Sequence, residues 1–257
     1  TLGEIAFEKA GIIKKNTPVV VSEFNPDTAS VFLEKAKFEN APILFASEAL
    51  KSEKINSNTD YLSLKVTDKN GNSEIYDLDL KGTYQQKNIL GVLSIVEQMR
   101  LQGFDLTNDL VKTALKKVQK FTGLQGRWQT LSKDPFIICD TGHNEDGIRE
   151  VLKNLTNTSF NQLHFVIGAM KDKDLNHMLP LLPKDALYYF SNPDMPRAMP
   201  SAELAEQAHI LGLNGQAYGP VLTAFEAAKT NYNKGDLIFI GGSNFVVSEV
   251  LKEFHTS

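Results

Sequence analysis

From residue 136 onward, five short apolar runs, FIICD, LHFVIGA, ALYYF, GQAYG and DLIFIGG, alternate with stretches of helical periodicity. This alternation constrains the fold more than any other feature of the chain. The runs are strand-length and several are apolar at consecutive positions, as strands covered on both faces must be. Between them, Ile148, Val151, Leu152 and Leu155 keep the i, i+3, i+4, i+7 spacing of a helix laid on a sheet. Helices are expected from about Glu145, Asp174, Ser201, Pro220 and Asn244. Strand and helix in strict alternation imply an α/β fold with a doubly wound, mainly parallel sheet.

The residues before Thr122-Gly123 read differently, so a domain boundary is expected there, with residues 1–121 and 122–257 as the two parts. Ile5, Ala6, Lys9, Ile12 and Ile13 fit a short amphipathic helix broken at Gly11. PVVVSE and PILFA then read as strands around a helix that starts at Asn25-Pro26-Asp27, a β-α-β unit. YLSLKV and EIYDLDL flank Asp68-Lys69-Asn70-Gly71-Asn72, a hairpin signature because Asn-Gly accepts the positive φ of a tight turn. Two helices follow, one with Ile89, Leu90, Leu93, Val96 and Leu101 as its apolar face, the other with Leu110, Val111, Ala114, Leu115 and Val118.

With 257 residues there is ample material for two cores, and a net charge of −4 argues against a partner as anionic as duplex nucleic acid. The lone cysteine, Cys139, can form neither an internal disulfide nor a thiolate metal cluster, so the cytoplasm is the default compartment. No apolar run approaches the roughly 18 to 20 residues of a membrane span. The opening TLGEIAFEKAGII carries Glu4, Glu8 and Lys9 and so is not a signal peptide; because it starts in mid-helix without Met, we expect an earlier segment of a longer protein.

In an open α/β sheet, ligands gather at the carboxyl ends of the strands, and the most reactive residues of this chain lie there. FIICD runs into Thr141-Gly142-His143-Asn144, FVIGA into Met170-Lys171-Asp172-Lys173-Asp174, YYF into Ser191-Asn192-Pro193, and LIFI into Gly241-Gly242-Ser243-Asn244. Taken singly, Asp140 and Ser243 could merely cap helices; together the four ends favour a ligand site. Arg127 in GRWQ suits a bidentate grip on phosphate, and Gly126 beside it permits close backbone approach. Trp128 reads as a core anchor. Asn88 in YQQKN could cap its helix or reach a phosphate. The row Lys112, Lys116, Lys120 reads as a solvated face before it reads as a grip on an anionic tail. His164, His177, His209 and His255 have no partners at metal-ligand spacing, and the methionines read as gap-fillers.

EIAFEKAGIIKKNTPVV, GTYQQKN, GLQGRWQ, CDTGHN and GGSNFVVSEVL occur in the order and approximate spacing of the folylpolyglutamate synthase and dihydrofolate synthase family, relatives of the Mur ligases, and the chain resembles that family over its whole length. The family's Gly-rich P-loop and its DHxxxLG segment have no counterpart, so the resemblance implies the end of a P-loop ATPase domain followed by the whole C-terminal domain, inactive alone. It further implies ATP-dependent addition of L-glutamate to dihydropteroate or a folate through an acyl phosphate, with ATP and Mg²⁺ as cofactors and a monomeric enzyme. Carried over residue by residue, Lys9 matches a lysine that becomes a carbamate and helps hold Mg²⁺. Asn88 and Arg127 match residues that contact ATP phosphates from the interdomain side. Asp140 and His143 match catalytic residues, the Asp near the nucleotide and the His near glutamate, and Ser243 matches a glutamate-holding position. Lys171, with Asp172, matches a DKD-like stretch loosely and is expected near glutamate. Gly142 stands where many members have Ala, a change expected to loosen the turn. Another Mur-type ligase is disfavoured by GRWQ and DTGHN; a silent binding module is the remaining alternative.

Overall fold

In the computed structural model, residues 1–57, 60–171 and 175–254 are described, and the chain divides into two units, Thr1–Thr122 and Gly123–Ser257. In the first unit, α1 (Leu2–Ala10) leads to β1 (Val19–Val21), α2 (Pro26–Phe38) and β2 (Ile43–Phe45), and β1 and β2 pair in parallel. This is the expected β-α-β unit, entered through Asn25, whose side chain accepts from the Asp27 N–H at 2.9 Å. After α3 (Ala46–Ala49), β3 (Leu50–Ser57), β4 (Leu62–Asp68) and β5 (Ser73–Leu78) form an antiparallel sheet in the order β3-β4-β5. The β4–β5 hairpin turns at Gly71 with φ +86°, and the Asp68 carboxylate accepts the N–H groups of Asn70 and Asn72. Alternation of buried Leu62, Leu64 and Val66 on β4 turns one face of this sheet to Ile89 and Leu90 of α4 (Gln85–Leu101) and to Val111 and Leu115 of α5 (Asn108–Leu115). α6 (Val118–Thr122) closes the unit. Lys112 pairs with Glu74, and Lys116 with Asp77 at 3.1 Å, so two of the three lysines in that row tie α5 to β5.

The second unit contains β6 (Gln129–Lys133), β7 (Phe136–Cys139), α7 (Glu145–Thr156), β8 (Leu163–Gly168), α8 (Leu175–Met178), β9 (Leu187–Asn192), α9 (Ser201–Ile210), β10 (Asn214–Pro220), α10 (Val221–Thr230), β11 (Leu237–Gly241) and α11 (Asn244–Glu253). Its six-stranded sheet has the order β10-β9-β8-β11-β7-β6, parallel except for the edge strand β6. All six residues of β8 and all five of β11 are buried, which explains their unbroken apolar sequences. One face packs on α7 and α9 through Ile148, Val151, Leu155, Leu204 and Ala208; the other packs on α10 and α11 through Phe225, Ala228, Val246 and Val250. Trp128 belongs to the first of these cores, 5.7 Å from the Phe239 ring.

The chain leaves β7, skips a position to β8, winds outward to β10, then returns to insert β11 between β7 and β8. A topological switch therefore falls at β7, β11 and β8, and the carboxyl ends of these strands open a crevice. At their amino ends, His164 is buried, with Nδ1 2.9 Å from the Tyr189 hydroxyl and Nε2 3.0 Å from Asp236 Oδ2. Spacing along the sequence gave no hint of this network, because its members come from three separate strand ends. Asp172 and His255 lie outside the described residues.

Candidate functional site

Asp140 follows β7 and extends its ladder, donating its N–H to Ile240 O at 3.1 Å. It is 3% exposed and both carboxylate oxygens are engaged by backbone: Oδ2 accepts the Trp128 N–H at 2.7 Å and Oδ1 the Gly142 N–H at 2.8 Å. The carboxylate thus clamps the GRW turn to the TGH turn. Thr141 adds two bonds to Gly126 O, from its N–H at 3.0 Å and its hydroxyl at 3.1 Å. This closure bends the chain into positive φ at Gly126 (+70°) and Trp128 (+47°) and leaves Arg127, between them, exposed. A Cβ on Gly126 would stand 2.7 Å from Thr141 Cγ2, so the close approach requires glycine. Beside the clamp, burial first and the Asp140 charge second push the Cys139 thiol up to about 12.

The turn after Asp140 is tight rather than loose. A Cβ on Gly142 would come within 2.9 Å of the Gly147 carbonyl oxygen in α7, so glycine here lets the first turn of α7 close on the strand end. His143, half-buried, has Nδ1 3.0 Å from Thr141 O. A carbonyl only accepts, so Nδ1 carries a proton, which leaves Nε2 as the ring nitrogen free to face the pocket.

His143 lines a pocket of about 140 Å³ together with Met170, Arg197, Gly242, Ser243, Asn244 and Phe245. Ser243 is the N-cap of α11: it is 4% exposed, its Oγ accepts the Phe245 N–H at 3.2 Å, and its own hydroxyl proton is left to donate. Gly242, at φ +81°, makes the turn into that cap. The positive end of α11 and the Arg197 guanidinium give the pocket an anion-binding character. Sequence reasoning missed Arg197. It stands on the loop after β9, which is sewn to the end of β8 by Lys171 N–H to Arg197 O at 3.0 Å and Met199 N–H to Ala169 O at 2.9 Å. The signal was its position in PDMPRA just beyond a strand end. Lys171 is exposed and outside the pocket lining.

Two expected site residues belong to the first unit. Asn88 lies exposed in the first turn of α4, not at its cap, and its amide donates to Gln85 Oε1 at 2.9 Å. Lys9 is exposed on α1, with no ion pair among the described residues. The apolar surround expected for it does not form within this unit: Ala6 and Ile13 are buried, whereas Ile5 is 54% and Ile12 77% exposed. α1 packs through its alanines, which leaves the stripe containing positions 5, 9 and 12 in solvent.

A doubly wound domain with a polar pocket at its switch point is the architecture of a ligand-binding α/β domain. Residues 126–244 match the family described as Mur ligase, glutamate ligase domain. The resemblance read from GRWQ, CDTGHN and the start of GGSNFVVSEVL is borne out by this match, which lies wholly within the second unit. Relatives extend the likeness over the remainder of the chain. The dihydrofolate synthase/folylpolyglutamate synthase of Bacillus subtilis is 25% identical over 98% of this chain and 58% of its own length. The folylpolyglutamate synthase of Lacticaseibacillus casei is 27% identical over 79% of this chain and 47% of its own. Escherichia coli FolC in complex with DHPP and ADP superposes with a TM-score of 0.80 at 22% identity, covering 100% of this chain and 57% of that one. At that identity the structural likeness is one of fold. The chain spans less than three-fifths of the length of these proteins. No helix among the described residues is long and apolar enough to cross a membrane.

Proposed function

We propose that the chain is the later part of an ATP-dependent ligase that adds L-glutamate to dihydropteroate or to a folate, its first unit being the end of the ATPase domain and its second the glutamate-binding domain. The observation that carries this reading is the convergence of His143, Ser243, Arg197 and the α11 N-terminus on one pocket. Glutamate brings two carboxylates and an ammonium. Arg197 and the helix end suit a carboxylate, Ser243 donates a further hydrogen bond, and His143 Nε2 is the group assigned to take a proton from the ammonium so that the amine becomes a nucleophile.

In the reaction, an oxygen of the acceptor carboxylate attacks the γ-phosphorus of ATP, which releases ADP and leaves an acyl phosphate. The glutamate nitrogen then attacks the acyl carbon, the C–O bond to phosphate breaks, and the amide forms as the nitrogen loses a proton. Arg127 and Asn88, both exposed, are available to phosphate oxygens. Asp140 is assigned to positioning, through its hold on the turns that bear Arg127 and His143. Among the described residues no group of three or more His, Cys, Asp or Glu could hold a metal, so the fit to Mg²⁺ rests on Lys9 alone and no step is routed through the ion. Lys9 would join its ligands only after CO₂ addition replaces the ammonium with a carbamate oxygen. We place the protein in the cytoplasm as a monomer.

Calorimetric titration of the 257-residue chain with amino acids one at a time tests the reading. L-Glutamate should bind in preference to D-glutamate, L-aspartate and L-lysine. Arg197→Ala and His143→Ala should each weaken it by about tenfold, a loss of roughly 1.4 kcal/mol, with the melting temperature unchanged. Preference for another amino acid would favour a different Mur-type ligase, and indifference of binding to both substitutions would remove the pocket from the mechanism.

A further inference from the structure

Among the described residues four serines are buried, and three of them are hydrogen-bonded: Ser191 donates to Ile167 O at 3.1 Å, Ser201 accepts the Gly219 N–H at 3.1 Å, and Ser243 caps α11. The fourth, Ser94 in the middle of α4, is 4% exposed and has no partner among the described residues. Hydroxyls inside helices usually satisfy themselves on the carbonyl four residues back, as Thr122, Thr156 and Thr230 do in this chain. Ser94 does not. With no bond to its own helix, the hydroxyl is left to whatever occupies the recess onto which Ser94 opens.

Ser94 lines a recess of about 360 Å³ between the three-stranded sheet and α4, within the size range of small-molecule pockets. Its walls are apolar where Leu50, Val66, Leu93 and Val96 contribute. The charged side chains in its lining are Asp68, Glu74, Glu97 and Arg100, three acids to one base. Arg100 is already committed, Nε to Leu106 O at 2.6 Å, Nη2 to Asn108 Oδ1 at 2.8 Å and Nη1 to Glu97 at 3.4 Å. Glu74 is paired with Lys112 and Glu97 with Arg100, so the charge left without a cation is that of Asp68, whose carboxylate accepts only backbone and amide N–H groups.

We propose that this recess is a binding site for a small aromatic amine, whose ring fills the apolar walls, whose ammonium meets the acidic rim, and which satisfies Ser94. The site lies wholly in the first unit and is independent of the ligase reading. Phenethylammonium is the probe, titrated into the full chain by amide-resolved NMR, with 3-phenylpropionate as a control of similar shape and opposite charge. Phenethylammonium should shift the resonances of Val66, Leu93, Ser94 and Glu97 and saturate with a Kd of about 1 mM or tighter, while the carboxylate control should bind at least about tenfold more weakly. Ser94→Val should weaken the amine about fivefold, and Ala49→Phe, at the rim, should abolish the shifts without unfolding the chain. Equal binding of the two probes, shifts confined to other residues, or no saturation by phenethylammonium at 20 mM would each overturn the proposal (that ceiling being about twentyfold above the expected Kd).

Discussion

Replacing Asp140 by Ala should destabilise the second unit more than a substitution at a ligand-contacting residue would, because its carboxylate is a clamp inside the fold. Two bonds are lost. The one from Trp128 N–H, at 2.7 Å, belongs to a residue only 7% exposed, so water cannot replace it. A hydrogen bond to a charged group contributes about 1.5–3 kcal/mol, and the orphaned donor adds to that loss. The bond from Gly142 N–H, at 2.8 Å, belongs to a half-buried residue and counts for about 1 kcal/mol, since solvent restores part of it. Removing the charge also relieves the cost of keeping it out of water, which brings the net to about 2–4 kcal/mol. At about 3 °C per kcal/mol for a unit of this size, the melting temperature should fall by roughly 6–12 °C. Trp128 is the only tryptophan, so its fluorescence reports this unit without interference from the first. Asp140→Asn, which keeps one acceptor but turns an NH₂ towards the other N–H, should fall between Ala and wild type. A loss below about 1 kcal/mol with unchanged emission would refute the clamp and return Asp140 to solvent or ligand.

Gly142→Ala should cost about 1–3 kcal/mol by forcing the first turn of α7 away from the strand end, seen as a lowered melting temperature and shifted His143 resonances. Asp236 gives a pH signature: burial opposes its charge, but hydrogen bonds from His164 and Asn233 outweigh it and hold the carboxyl below its ordinary value of 3.8. A depressed carboxylate contributes stability above its unfolded pKa and loses it as pH falls through the folded one, so acid unfolding of Asp236→Asn should be less steep below about pH 4. Cys139, fully buried with its thiol pushed up to about 12, should resist a disulfide exchange reagent in the native protein and react once denaturant unfolds the second unit.

Legibility in the sequence followed burial. β8 and β11 announced themselves because both of their faces are covered, and the hairpin did so because Asn70-Gly71 has few other uses. β3, LKSEKINS, and β6, QTLSK, did not stand out: each lies at an edge of its sheet and pairs on one side only, β3 is mostly exposed and β6 is half-buried along its length, so nothing selects an apolar alternation. The pocket was half legible for a related reason. His143 and Ser243 follow directly from the ends of β7 and β11, where chain order and spatial order agree. Arg197 reaches the same pocket only because its loop is bound to the end of β8 by backbone hydrogen bonds, which any residue can make and no side chain records. Asp140 inverts the case. Its place at a strand end read as exposure to ligand, but the backbone N–H groups of Trp128 and Gly142 converge on it and turn a carboxylate of catalytic appearance into the bolt between two functional turns. Chemistry at such a site therefore depends on a residue that need never touch the substrate, and a loss of activity on its removal has to be separated from loss of the fold before any catalytic role is assigned.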